Sequence, residues 1–93
     1  MILSFRSKET EKIWNLESVR KIPLEVQKTG LRKLVMLNKS IDVNDLLIPP
    51  GNRLEKLKGD REGEYSIRIN DQWRVCFIWQ NGNALEVEIV DYH

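Results

Sequence analysis

The sequence predicts an α+β domain, with two or three N-terminal helices packed on one face of a four- to five-stranded, mainly antiparallel sheet. Three observations carry this. Apolar residues recur at helical spacing before residue 40 and alternate with polar ones after residue 60. The segment Pro49-Pro50-Gly51 divides the two regimes, because each proline lacks an amide N–H and constrains the residue before it. The pairs Gly59-Asp60, Asn70-Asp71 and Asn81-Gly82 then cut the second half into short strands, the last being a strong two-residue hairpin signal. A chain of 93 residues accommodates one domain, 1–93, and not two.

Taken in order, Met1 to Phe5 reads as a short strand through Ile2, Leu3 and Phe5, expected at the edge of the same sheet. Ser7 suits an N-cap, with Glu9 and Glu11 in the first turn of a helix from about Lys8 to Trp14. Pro23 suits the first turn of a second helix reaching about Asn38, with Leu24, Leu31, Leu34, Val35 and Leu37 as its apolar stripe. Gly30 costs that helix about 1 kcal/mol relative to alanine and marks a point where it can break. Asp42 to Leu46 suggests one more helical turn. Beyond the prolines, Arg53 to Leu57 alternates weakly. Tyr65, Ile67 and Ile69, then Trp73, Val75, Phe77 and Trp79, then Leu85, Val87 and Ile89 alternate clearly. Trp14, Trp73 and Trp79 are expected in the core, and Cys76 as an inert thiol.

Composition narrows the function. Hydrophobic residues make up 41% and charged residues 31%, the balance of a globular rather than a disordered chain. The longest apolar run, Leu46 to Pro50, falls far short of the roughly 20 residues that span a bilayer, so no membrane partner is expected. Arg6, Lys8, Glu9 and Glu11 interrupt any signal-peptide core, making the cytoplasm the expected compartment. One cysteine and one histidine leave no internal disulfide and no multi-cysteine zinc site, so neither metal nor cofactor is expected. Net charge is +1; residues 1–50 hold 9 Lys+Arg against 6 Asp+Glu, and residues 51–93 hold 6 against 8. A broad basic face is therefore absent from the second half. Any RNA site there must be a local cluster, with Arg53, Lys56, Lys58, Arg61, Arg68 and Arg74 as the candidates.

Three stretches stand together: Pro-Pro-Gly-Asn-Arg-Leu at 49–54, Leu-Lys-Gly-Asp-Arg-Glu-Gly at 57–63 and Val-Asp-Tyr-His at 90–93. Between the last two runs Tyr-Ser-Ile-Arg-Ile-Asn-Asp-Gln-Trp-Arg-Val-Cys-Phe at 65–77. This set resembles the HigB family of the wider RelE/ParE toxin group, also described as plasmid-maintenance killer proteins. The resemblance covers essentially the whole chain, and its specific part is residues 49–93. It implies a RelE-like fold and a toxin encoded beside a helix-turn-helix antitoxin of the HigA type. It also implies cleavage of messenger RNA at the ribosome without a metal. The antitoxin would hold the toxin inactive, and operator DNA would be met only through their complex. The family's functional residues map onto Lys58, Arg74, Asp91, Tyr92 and His93. One position departs: some members carry a histidine two residues after the basic position matching Arg53, and here Glu55 stands there, leaving His93 as the sole imidazole.

Metal-free RNA cleavage uses the ribose 2′-hydroxyl as an internal nucleophile. The protein must take that proton, stabilise the phosphoryl oxygens, protonate the 5′-oxygen and align the attack. His93 is the candidate general acid or base, since imidazole titrates near neutral pH. Asp91 is a candidate to orient His93 or accept a proton, and Tyr92 to stack on a base or bind phosphate. Arg74, on the face opposite Trp73 and Phe77, is a candidate phosphate ligand on an open surface, where its removal should cost little stability. Lys58 and Arg61 flank a tight turn; for Arg61 an ion pair with Asp60 or Glu62 is an equal expectation. Arg53, Lys56 and Arg68 complete the RNA-binding candidates. Glu55 offers a proton acceptor, set behind the others because a carboxylate repels phosphate. Two other functions remain open: a toxin of this fold that inhibits a protein such as DNA gyrase by binding, and a weakened toxin serving mainly as co-repressor.

Overall fold

The computed structural model describes residues 1–92. Two helices, α1 (Lys8–Trp14) and α2 (Leu24–Lys39), precede an antiparallel sheet of β1 (Glu55–Lys56), β2 (Glu64–Arg68), β3 (Trp73–Gln80) and β4 (Asn83–Asp91), ordered β1-β2-β3-β4. Short 3-10 turns at Val43–Leu47, Pro50–Asn52 and Gly59–Arg61 fill the connections. The architecture is the α+β arrangement the sequence predicts.

Local chemistry accounts for the helix ends. The Ser7 side chain accepts from the Thr10 amide at 3.2 Å, and Glu9 and Glu11 sit in the first turn of α1. Asp42 and Asp45 form a reciprocal capping box at the start of the Val43–Leu47 turn. The N-terminal strand is reduced to two parallel bridges, Ile2 with Ala84 and Phe5 with Val87, which lay residues 1–6 along the outer edge of β4.

Two features differ from the sequence expectation. Helix α2 runs unbroken through Gly30. The helix packs closely on β4 here: a Cβ at Gly30 would lie 2.8 Å from the terminal methyl of Ile89, which would have to shift to admit it. The register of β4 also slips. Leu85 pairs with Ile78 and Glu88 with Cys76, with Glu86 at φ 52 between them. This bulge breaks the expected Leu85, Val87, Ile89 alternation and buries Ala84 and Val87, three residues apart.

The core lies between the helices and one sheet face. Ile67, Val75, Phe77, Val87 and Ile89 meet Val26, Leu34 and Leu37 of α2 and Ile13 of α1, while Trp14, Trp73 and Trp79 pack at its margin. On the other face the register aligns Glu55, Ser66, Cys76 and Glu88 across the four strands, and Arg68, Arg74 and Val90 across three. No helix among the described residues is long and apolar enough to cross a membrane.

Candidate RNA-binding cleft

The Pro50–Asn52 turn delivers Arg53 in a left-handed conformation, φ 44 and ψ 56, with its amide bonded to the Pro50 carbonyl at 3.1 Å. This geometry lets the chain turn into β1 while presenting the Arg53 carbonyl to the sheet. Arg74 meets it: Nη2 donates to Arg53 O at 3.0 Å and Nη1 to the buried Ser66 hydroxyl. Nη1 also lies 3.1 Å from Glu55 Oε2. Arg74 is thus on the predicted face but is 7% exposed rather than a surface residue. Its guanidinium is held by three partners, which fixes its plane.

Around it opens a cleft of about 340 Å³ lined by Arg53, Glu55, Arg68, Arg74 and Tyr92, with Asn70 and Asp71 at the rim. Three guanidiniums against two carboxylates leave a formal charge of +1. The Arg68 Nη2 is 2.6 Å from Asp71 Oδ1, and this hydrogen bond and charge hold the Asp71 carboxyl below the ordinary aspartate range. The Tyr92 ring stands over Arg74, with its centroid 5.9 Å from Cζ, a cation–π contact. Its amide donates to the Gln72 carbonyl at 2.6 Å, while Gln72 Nε2 donates to Asp91 Oδ2 at 3.0 Å. Gln72 therefore ties down the end of β4. His93 lies outside the described residues.

The other sequence candidates fall elsewhere. Lys56 and Lys58 line a separate recess of about 400 Å³ with Leu57, Gly59 and Glu62. Although larger, that recess lacks the guanidinium–carboxylate constellation of the cleft. Arg61 pairs neither with Asp60 nor with Glu62. Its Nη2 reaches Glu88 Oε1 at 3.2 Å and its Nη1 is 3.9 Å from Glu64 Oε1, joining Arg6, whose Nη1 lies 3.1 Å from Glu64 and 3.3 Å from Glu88. This four-residue network flanks the buried Cys76, whose thiol burial pushes up. Asp91 lies one strand position beyond Arg74, opposite Trp73.

Glu55, set behind the other candidates in the sequence, is brought into the cleft by its pairing with Ser66, a register that its weak local alternation did not reveal. One buried residue escaped sequence reasoning. Lys33 of α2 reads as a solvated helix residue, yet it is buried and donates to Oδ1 of the fully buried Asn52. Burial first, then the charges of Arg32 and Arg68, depress its ammonium pKa below the ordinary lysine value. Its position within the apolar spacing of α2, between Gly30 and Leu34, was the only available signal.

Comparison with known proteins places the chain in a family. A model of the HigB-like toxin family, described as the RelE-like toxin of the type II toxin–antitoxin system HigB, matches residues 3–93. The chain is similar to Toxin HigB-1 of Vibrio cholerae serotype O1, 41% identical over 86 residues, covering 91% of this chain and 90% of that one. It is also similar to Endoribonuclease HigB of Proteus vulgaris, 46% identical over 41 residues, 44% of this chain and 45% of the relative. The heterotetrameric YoeB–YefM toxin–antitoxin complex of Staphylococcus aureus contains a chain with a TM-score of 0.61 and 26% identity, covering 100% of this chain and 98% of that one. The chain belongs to the HigB-like toxin family, the RelE-like toxins of type II toxin–antitoxin systems.

Proposed function

We propose that this chain is an endoribonuclease that cuts messenger RNA during translation, needs no metal, and is neutralised by a helix-turn-helix antitoxin of the HigA type. The observation that carries the reading is Arg74: a buried guanidinium, fixed in plane, with Glu55 against one edge and the Tyr92 ring over it. The name of the Proteus vulgaris relative supports an RNA-cleaving activity, and the Staphylococcus aureus complex supports an antitoxin partner.

In this reading a phosphodiester enters the cleft with its oxygens on Arg74, Arg53 and Arg68. Glu55 takes the 2′-hydroxyl proton as the oxygen attacks phosphorus. The P–O5′ bond breaks, His93 protonates the leaving 5′-oxygen, and a cyclic phosphate remains. Glu55 thereby fills the base role that an imidazole takes in other members, and its repulsion of phosphate is offset by the three guanidiniums. Asp91 orients His93, and Tyr92 stacks on a neighbouring base. Lys58 and Lys56 hold the RNA backbone beyond the cleft. The ribosome supplies the rest of the alignment.

The test is expression of the full chain without antitoxin, with 5′ ends mapped on ribosome-bound messages. New ends that vanish when His93 is deleted, while the deleted chain still binds antitoxin, are the expected result. Growth arrest with intact messages would overturn the nuclease reading and leave inhibition by binding a protein target.

A further inference from the structure

The cleft's geometry depends on a loop, and the loop is fastened from below. Asn52 immediately precedes Arg53 and is fully buried. Its Oδ1 accepts from Lys33 Nζ, while its Nδ2 donates to the Leu46 carbonyl at 3.1 Å and lies 3.1 Å from Met36 Sδ. One amide side chain thus binds helix α2, the Val43–Leu47 turn and the Pro50–Asn52 turn together. The next residue adopts the left-handed conformation that points its carbonyl at Arg74.

A buried ammonium is a costly way to obtain stability alone, because an apolar side chain of similar volume often fills such a site at no loss. What an ammonium–amide pair adds is a direction. It specifies where the loop sits along the helix, to within a hydrogen bond. The charge is also felt toward the cleft, since the Arg68 guanidinium is among the charges that lower the Lys33 pKa, after burial and Arg32.

We propose that Lys33 and Asn52 are positioning residues for the cleft, a buried pair that sets the Arg53 carbonyl, and through it the Arg74 guanidinium, in the plane that receives phosphate. The proposal rests on the nuclease reading for its consequence and for the cleavage arm of its test, but not for the resonance arm.

The test uses the full chain and Lys33→Met, which keeps an unbranched side chain one atom shorter and removes its charge. Two quantities are read: the Nη–H resonances of Arg74 by nitrogen-resolved NMR without RNA, and message cleavage. The expected result is a folded variant that melts several degrees below the parent, because the buried Asn52 Oδ1 loses its donor. Its Arg74 resonances broaden or shift toward those of a freely rotating guanidinium, and its cleavage falls roughly tenfold or more at little changed RNA affinity. A folded variant with parental Arg74 resonances and parental cleavage overturns the proposal. Should Lys33→Met fail to fold, Lys33→Met with Asn52→Leu removes both polar partners and carries the same two readouts. Lack of cleavage by the parent chain would count against the nuclease, while the resonances still decide the positioning claim.

Discussion

The carboxylate of Glu55 stands 3.1 Å from the guanidinium of Arg74, so the cleft holds a fixed cation and a proton acceptor as a contact pair. The pairing of β1 with β2 that produces this is only two residues long, Glu55 with Ser66 and Lys56 with Tyr65. A single pair of strand positions therefore decides whether the acceptor reaches the cleft. Replacing Glu55 by glutamine keeps the shape and removes the basicity. Glu55→Gln should lower the cleavage rate by about 10²–10⁴, the usual span for a general base. Affinity for RNA should hold or improve, because a negative charge has left the site. Single-turnover rates and equilibrium binding to an RNA lacking the reactive 2′-hydroxyl separate the two; a parental rate would remove Glu55 from the chemistry.

Arg74 is where the sequence and the structure differ most in consequence. Strand alternation places it on the correct face, and a surface arginine is then expected to be dispensable for folding. Its burial against Ser66 and the Arg53 carbonyl changes that. Arg74→Ala leaves both acceptors without their donor, at about 1–3 kcal/mol for a buried unsatisfied group. For a domain of this size the melting temperature should fall by roughly 4–8 °C per kcal/mol. Arg74→Lys restores charge but not the planar fork, so it should recover little cleavage. Calorimetry of the two variants checks this, and an unchanged melting temperature for Arg74→Ala would contradict the hydrogen-bond geometry.

The six basic candidates separate by what they already bind. Arg53 and Arg68 line the cleft, whereas Arg61 is committed to Glu88 and Glu64. For single-stranded RNA the logarithm of affinity should change with the logarithm of salt by about 0.7 per phosphate contact. Arg53→Ala and Arg68→Ala should each reduce that slope by about this amount, and Arg61→Ala should leave it unchanged while lowering stability. Titrations of uncleavable RNA at several salt concentrations read the slopes. Equal slopes for all three variants would mean that the cleft is not where the backbone binds.

Gly30 illustrates what local pattern conveys and what it does not. The bounds of α1, the Asn81-Gly82 hairpin and the alternation of β2 and β3 were legible because caps, turn residues and period-two burial act over a few neighbours. Gly30 as a contact, the bulge at Glu86, the burial of Arg74 and the Lys33–Asn52 pair all depend on how separate elements approach one another, which no short window records. For the candidate site the residue types were readable, but their grouping was not: Arg53, Arg68, Arg74 and Tyr92 converge, while Lys56, Lys58 and Arg61 lie elsewhere. At Gly30 the two levels make opposite predictions. Helix propensity alone predicts that adding a side chain stabilises by up to about 1 kcal/mol. The 2.8 Å approach of Ile89 Cδ1 predicts that Gly30→Val instead loses about 1–3 kcal/mol through overpacking. Denaturant titration decides the sign.

Cys76 offers a test of the open face itself. It points away from the helices, toward the side of the sheet that the sequence leaves uncovered, yet it is fully buried. Charged side chains surround it: burial pushes the thiol pKa above the ordinary 9.0, and the charges of Arg61, Glu88, Glu64 and Arg74 also act on it. Two outcomes follow. In the native protein the thiol should resist iodoacetamide at pH 8 and react only at the rate of unfolding, because both access and thiolate are missing. The linkage also has a definite sign. A thiol whose folded pKa is raised contributes stability that is fully present below pH 9 and is lost as pH climbs through the folded value. Lys33 acts oppositely: its lowered folded value makes stability rise with pH on the approach to 10.5, as the buried ammonium sheds its proton before the unfolded one does. Comparing the parent with Cys76→Ala between these limits isolates the thiol, and the parent should lose stability relative to the variant as pH rises above 9. Rapid native-state labelling would show that the Arg6–Glu64–Glu88–Arg61 cover opens on its own, well short of unfolding.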